Sequence, residues 1–174
     1  MIIRYSTFIV LFILFIIEGT VYQVFAPDFY GVAYQLIPRW MFMLILVAGI
    51  YRGRGYGLLY GIIFGIFYDI IYSQVLGIYT FGMGLLAYLL CNPLPYIKKN
   101  IFVVILMVTF GVALLEYYVY GMMLLLGNTT LLHETFLSVR FIPTMIMNFV
   151  IIAALAFPLR LWFQYSERKM QDLN

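Results

Sequence analysis

Residues 52–77 read RGRGYGLLYGIIFGIFYDIIYSQVLG. A basic triplet opens the stretch, an apolar run follows, and the polar break Ser73-Gln74 closes it. Within it Gly53, Gly57, Gly61 and Gly65 recur every fourth residue, and Asp69 continues the series. On an α-helix that spacing keeps the residues on one face. The stretch therefore predicts a membrane-spanning helix with a smooth glycine groove and a carboxylate near one end. Small residues four apart let a second helix approach closely, which matters in lipid, where packing replaces the hydrophobic drive. Two uses of the groove are open at this level: packing within one bundle, or seating a partner's helix.

The rest of the chain has the same character. Of 174 residues, 66% are hydrophobic and 10% charged, against roughly 25% charged in a soluble domain. So few charges cannot solvate a globule's surface, which excludes an ordinary cytosolic enzyme. High hydrophobicity excludes disorder, and continuous rather than alternating apolar runs argue against a membrane β-barrel. Six spans of about 20 residues use about 120 positions and leave little for loops. The runs place those spans at about 5–26, 38–54, 55–72, 75–92, 101–126 and 140–163. This predicts an all-α polytopic bundle with six transmembrane helices, a single integral membrane domain over 1–174. The first run follows Met1-Ile2-Ile3-Arg4 as a signal peptide would, but it is long and no small-x-small cleavage site follows, so it reads as a retained span. Pro27-Asp28 ends it, with a loop over 29–38. The second run is short: from Arg39 to Tyr51 a helix is about 20 Å long. It is expected to extend through 52–57, with Arg52 and Arg54 snorkelling, or to thin the bilayer.

Charge sidedness gives the orientation. With six spans, one side holds Arg4, Arg52, Arg54, Lys98, Lys99, Arg160, Arg168 and Lys169, which is 8 of the 10 basic residues; Arg39 and Arg140 lie on the other. The positive-inside rule then puts both termini in the cytoplasm. The tail from Arg160 to Lys169 sets aromatic beside basic residues, as suits an anionic lipid interface.

Glu18, Asp69 and Glu116 stand inside apolar runs, where a bare charge is costly. Counting 1.5 Å per residue, each lies roughly 20–23 Å from the cytoplasmic end of its span. Arg39 and Arg140 open the two spans that return from the outer side, so acids and arginines share nearly one layer. Ion pairs that lock helix register are one reading; a polar pocket or docking surface opening outward is the second; a proton relay is a third.

Catalytic signals are absent. The single histidine, His133, belongs to an outer loop, and His133-Glu134 lacks a second histidine one turn on, where Leu137 stands, which removes the zinc-protease helix motif. No phosphate-binding glycine loop is present. The single cysteine, Cys91, allows no intrachain disulfide or cysteine-based metal cluster and reads as a small buried hydrophobe. No catalytic residue, cofactor, metal or nucleic-acid partner is expected.

Arg52-Gly53-Arg54-Gly55-Tyr56-Gly57, then Gly61, Gly65, Asp69 and Leu76-Gly77, together with Pro38-Arg39-Trp40 and the total length, resemble the MreD family of bacterial rod-shape-determining membrane proteins. The resemblance implies a non-enzymatic scaffold of the elongation machinery. Its partners would be an MreC-type single-span protein and, indirectly, the MreB filament and the RodA–transpeptidase pair, with membrane lipid around it. It also implies a bundle similar to the substrate-binding subunits of energy-coupling-factor transporters. Gly57, Gly61, Gly65, Asp69 and Gly77 are the family-matching candidates for partner binding or helix packing, and Glu18, Arg39, Glu116 and Arg140 make up the intramembrane polar layer. A vitamin-like small-molecule binding subunit of a transporter is the alternative function.

Overall fold

A computed structural model of the protein describes residues 2–24, 34–73, 75–91 and 95–171. The expected breaks at Pro27-Asp28, Gln74 and Asn92-Pro93-Leu94 lie outside the described residues. Long helices run over α1 (Ile2–Val24), α2 (Trp40–Arg52), α3 (Arg54–Tyr72), α4 (Ile78–Leu90), α6 (Ile101–Leu125) and α8 (Ile142–Gln171). The short α5 (Pro95–Lys99) precedes α6; α7 (His133–Thr135) and a π-helical turn (Phe136–Phe141) lead into α8. Among the described residues there is no strand, and the molecule is an all-α membrane bundle. The segments 54–72, 101–125 and 133–166 are long and apolar enough to cross a bilayer; 6–20, 40–52 and 78–90 are shorter apolar helices.

α2 explains its own shortness. Every residue from Met41 to Tyr51 is buried, because α1, α3, α4, α6 and α8 all pack against it. A helix that is apolar on all sides belongs in a core. Lipid never meets α2, so its length of about 20 Å need not match a hydrocarbon layer of about 30 Å. Nor does it extend through 52–57. Gly53, at φ 108°, turns the chain after Arg52, and α3 begins one residue later. That φ favours glycine. At this basic end the Arg52 guanidinium lies 5.5 Å from the Phe163 ring centroid, Tyr51 stacks on the same ring at 5.6 Å, and the Lys98 ammonium donates to the Tyr51 carbonyl.

The glycine face of α3 is filled from within. A Cβ on Gly61 would stand 2.8 Å from the Met83 carbonyl oxygen, and one on Gly65 2.5 Å from Thr80 Cα, so α4 lies directly against this stripe. Gly57 instead faces α2, with Gly49 Cα 3.2 Å from its ideal Cβ. Gly77 sits at φ 100° in the turn that starts α4.

The sixth apolar run was expected to end near 163 and give way to a polar tail. The helix continues to Gln171, because Phe163 and Ser166 are buried against the bundle and the Ser166 hydroxyl donates to the Trp162 carbonyl. Facing outward on α1, α6 and α8 are Ile13, Ile16, Phe102, Phe110, Phe149 and Phe157, an apolar rim suited to acyl chains.

Close backbone approach makes the α3–α4 contact intolerant of added volume. Gly61→Ala is expected to lose about 1–3 kcal/mol of stability through overpacking. Gly121→Ala, where an ideal Cβ meets nothing within 4 Å, should lose none and gain up to about 1 kcal/mol from helix propensity. Thermal unfolding of both variants in the same detergent micelle checks the contrast.

Candidate functional site

The polar residues gather at the end of the bundle opposite Arg52 and Lys98. Each of the three apolar-run acids serves the beginning of another helix. Glu18 of α1 accepts the Met41 amide of α2 on Oε2 (3.0 Å) and the Tyr68 hydroxyl on Oε1 (3.0 Å). Asp69 of α3 accepts the amides of Gly77, Tyr79 and Thr80, each at 2.9 Å, and the Thr80 hydroxyl at 2.6 Å. The first amides of a helix have no intrahelical partner and carry the positive end of its dipole, so a carboxylate there is doubly favourable. Glu116 of α6 bridges two arginines at the approaches to α2 and α8. Its Oε1 accepts Arg39 Nε at 2.6 Å, and its Oε2 accepts Arg140 Nε at 3.2 Å.

Arg39 is the centre of this layer and is 1% exposed. Besides Glu116 it donates from Nη1 to the Tyr68 hydroxyl and from Nη2 to the Tyr79 hydroxyl, both at 3.3 Å. Its Cζ stands 5.6 and 5.1 Å from the two ring centroids. Arg39 is held on its backbone as well. The irregular segment 34–39 is strapped to α8 by the Asn148 amide group, which accepts the Arg39 amide at 3.0 Å and donates to the Ile37 carbonyl at 2.9 Å. The Thr144 hydroxyl accepts the Ile37 amide, and the Gln35 amide donates to the Val139 carbonyl in the π-helical turn. Irregular backbone at membrane depth is tolerated only with such partners.

Beside the layer opens a cavity of about 350 Å³, lined by Glu18, Gly19, Ile37, Arg39, Tyr68, Ile71, Tyr72, Tyr79 and Arg140. Glu18, Arg39, Glu116 and Arg140 thus come together, with Glu116 just behind the wall. Asp69 stands apart from the cavity with all its bonds made to α4, and Gly57, Gly61 and Gly65 lie in helix contacts. Tyr79 joins the two regions, its amide on Asp69 and its hydroxyl on Arg39.

Sequence reasoning did not single out Tyr68, Tyr79, Thr144 or Asn148. A signal existed for the last two: Arg140, Thr144 and Asn148 recur every fourth residue in an otherwise apolar helix. His133 is exposed, but it borders an aromatic cluster, 6.2 Å from the Tyr117 ring and 6.5 Å from that of Phe136. Cys91 is buried and donates to the Leu46 carbonyl. Among the described residues no three potential metal ligands come together.

A family model described as "rod shape-determining protein MreD" matches residues 3–166. The chain belongs to the MreD family. A relative from Bacillus subtilis (strain 168), named rod shape-determining protein MreD, is 30% identical over 137 residues, covering 79% of this chain and 80% of its own length. No solved structure matches. The glycine-to-acid stretch that resembles MreD proteins therefore sits, in this member, at the α3–α4 contact and the cap of α4.

Two substitution sets test these assignments by stability in detergent. All four Asp69 partners are donors, so Asn must turn its own N–H groups toward some of them, and Leu leaves every one unmatched. Stability should fall in the order Asp, Asn, Leu, by about 1–3 kcal/mol for each amide left shielded and unpaired. Glu116→Leu leaves Arg39 as an uncompensated buried charge and should cost about 3–5 kcal/mol.

Proposed function

We propose that the protein is a non-enzymatic, multi-pass component of the bacterial rod complex. It binds an MreC-type single-span partner at its cavity and so helps control lateral peptidoglycan synthesis and cell shape. It lies in the cytoplasmic membrane with both termini in the cytoplasm and the cavity facing outward. Through that partner it connects to the MreB filament and the RodA–transpeptidase pair.

The observation that carries this reading is the cavity's position at the end opposite the basic one. On the proposed orientation the inner side holds 8 basic residues against Glu167 and Asp172, while the outer side holds Arg39 and Arg140 against five acids. That asymmetry follows the positive-inside rule. The cavity then faces the compartment in which wall is built. Its rigid polar walls suit a short segment entering from that side, because a site already fixed in shape loses little entropy on binding. A volume of about 350 Å³ also falls at the lower end of the range for small-molecule pockets, which keeps the transporter-subunit reading as the competitor.

Reporter fusions after Asn174 and within 127–132 should report opposite sides, with the C-terminal one inside. The full chain, purified in detergent, should retain a co-expressed MreC-type protein, and Gly19→Leu, which adds a side chain to the cavity wall where a Cβ would already overlap the Tyr72 hydroxyl, should weaken that retention about tenfold or more. Binding of thiamine, riboflavin or biotin by the purified chain, with no partner retained, would favour the transporter subunit instead.

A further inference from the structure

The donors and acceptors around the cavity are unequally occupied. Both oxygens of Glu18 and both of Glu116 already accept hydrogen bonds from the protein's own groups. The Tyr68 hydroxyl accepts from Arg39 and donates to Glu18, so it is occupied in both directions. Several donors are not. Arg140 turns Nε and Nη2 to Glu116, and its Nη1 meets no acceptor among the described residues. The Tyr79 hydroxyl accepts from Arg39 Nη2 and, among the described residues, meets no acceptor for its own proton. The Tyr72 hydroxyl likewise has no hydrogen-bond partner among the described residues. Exposure follows the same division: Glu18, Arg39 and Glu116 are at most 2% exposed, whereas Arg140 is 22% exposed. An entering group thus meets a guanidinium and phenolic hydroxyls, with Glu116 behind the wall and each oxygen of Glu18 already accepting a bond.

We infer that the segment entering this cavity does so through an acidic side chain, an Asp or Glu carboxylate of the partner, which accepts from Arg140 Nη1 and the Tyr79 hydroxyl. This rests on the partner-binding reading above and specifies its chemistry. A carboxylate matches the guanidinium by charge and offers enough lone pairs for both donors. A lysine or arginine at the same point would set its charge beside the Arg140 guanidinium, and among the described residues it would have to share carboxylate oxygens that already accept bonds from the protein's own groups.

The test is a double-mutant cycle on the full chain and a full-length MreC-type partner co-expressed in membranes and purified in detergent. On this chain Arg140→Gln removes the charge and retains an amide donor toward Glu116; Tyr79→Phe removes the hydroxyl alone and serves as the independent variant should Arg140→Gln be poorly folded. On the partner, each Asp and Glu of the segment immediately outside its span is changed singly to Asn or Gln. Arg140→Gln is expected to weaken binding about tenfold or more, one partner acid should show a comparable loss, and the combined loss should be no greater than either alone. Losses that multiply for every partner acid, or unchanged binding by both Arg140→Gln and Tyr79→Phe, overturn the carboxylate pairing. If Gly19→Leu still abolishes binding in that case, the partner-binding reading stands without it. A wild-type pair that does not associate removes both.

Discussion

The structure depends on one buried cation. Arg39 sits at the start of the central helix, almost wholly removed from solvent, and its side chain reaches groups on three other helices: Glu116 of α6, Tyr68 of α3 and Tyr79 of α4. A guanidinium has five donors in a fixed plane and cannot shed its proton, so it imposes geometry on whatever surrounds it. Apolar contacts between lipid-embedded helices distinguish registers weakly, because lipid tails are as apolar as the side chains they replace. A single cation that must find a carboxylate and two hydroxyls at defined positions distinguishes them strongly. The bundle's register is set at this layer, and the glycine contacts then bring the helices close.

The three acids follow one rule. In each of the pairs α1 with α2, α3 with α4 and α6 with α8, the first helix carries an acid in its second half, and that acid serves the beginning of the next one. Glu18 takes an amide of α2, Asp69 takes three backbone amides at the start of α4, and Glu116 takes the arginine in the turn that enters α8. Helix starts present unpartnered amides and positive potential at a depth where water is scarce. A carboxylate supplied by the preceding helix answers both demands. The same electrostatic problem arises at every turn on this side, and the sequence solves it each time with one acid.

Height along the helices was legible from the chain, and partnership was not. Counting residues from the basic ends put Glu18, Asp69 and Glu116 in a common layer with Arg39 and Arg140, because helix rise is nearly constant. Which acid meets which arginine depends on helix neighbours, and Arg39 pairs with a residue 77 positions away. Asp69 was read as part of that layer's chemistry, yet its partners are mostly backbone amides of α4, which no side-chain pattern betrays. The short second helix was expected to extend through 52–57 or to thin the bilayer, and the structure ends it at Arg52 instead. Its composition pointed to the core, since a run such as Met41 to Tyr51 has no polar face at all. Tyr68, next to Asp69, was hidden among the many aromatic residues, and only its hydroxyl distinguishes it.

The cavity is a consequence of unequal helix lengths. α2 and α4 have 13 residues each, against 23 in α1 and 25 in α6, so they fall about 15–18 Å short at 1.5 Å per residue. At the basic end α2 meets its neighbours through the Tyr51–Phe163 and Tyr51–Lys98 contacts, and Cys91, closing α4, donates to the Leu46 carbonyl of α2. The shortfall therefore appears at the other end, as a recess within membrane depth. An apolar lining would let such a recess close or fill with acyl chains, but helix starts and the irregular strap expose amides there that require polar partners. Once Arg39 is fixed by Glu116, Tyr68 by Glu18, Tyr79 by Asp69 and the strap by Asn148, each of those walls is held by a bond to a different element. The recess cannot collapse without breaking several of these bonds together, so it persists as a preformed polar site.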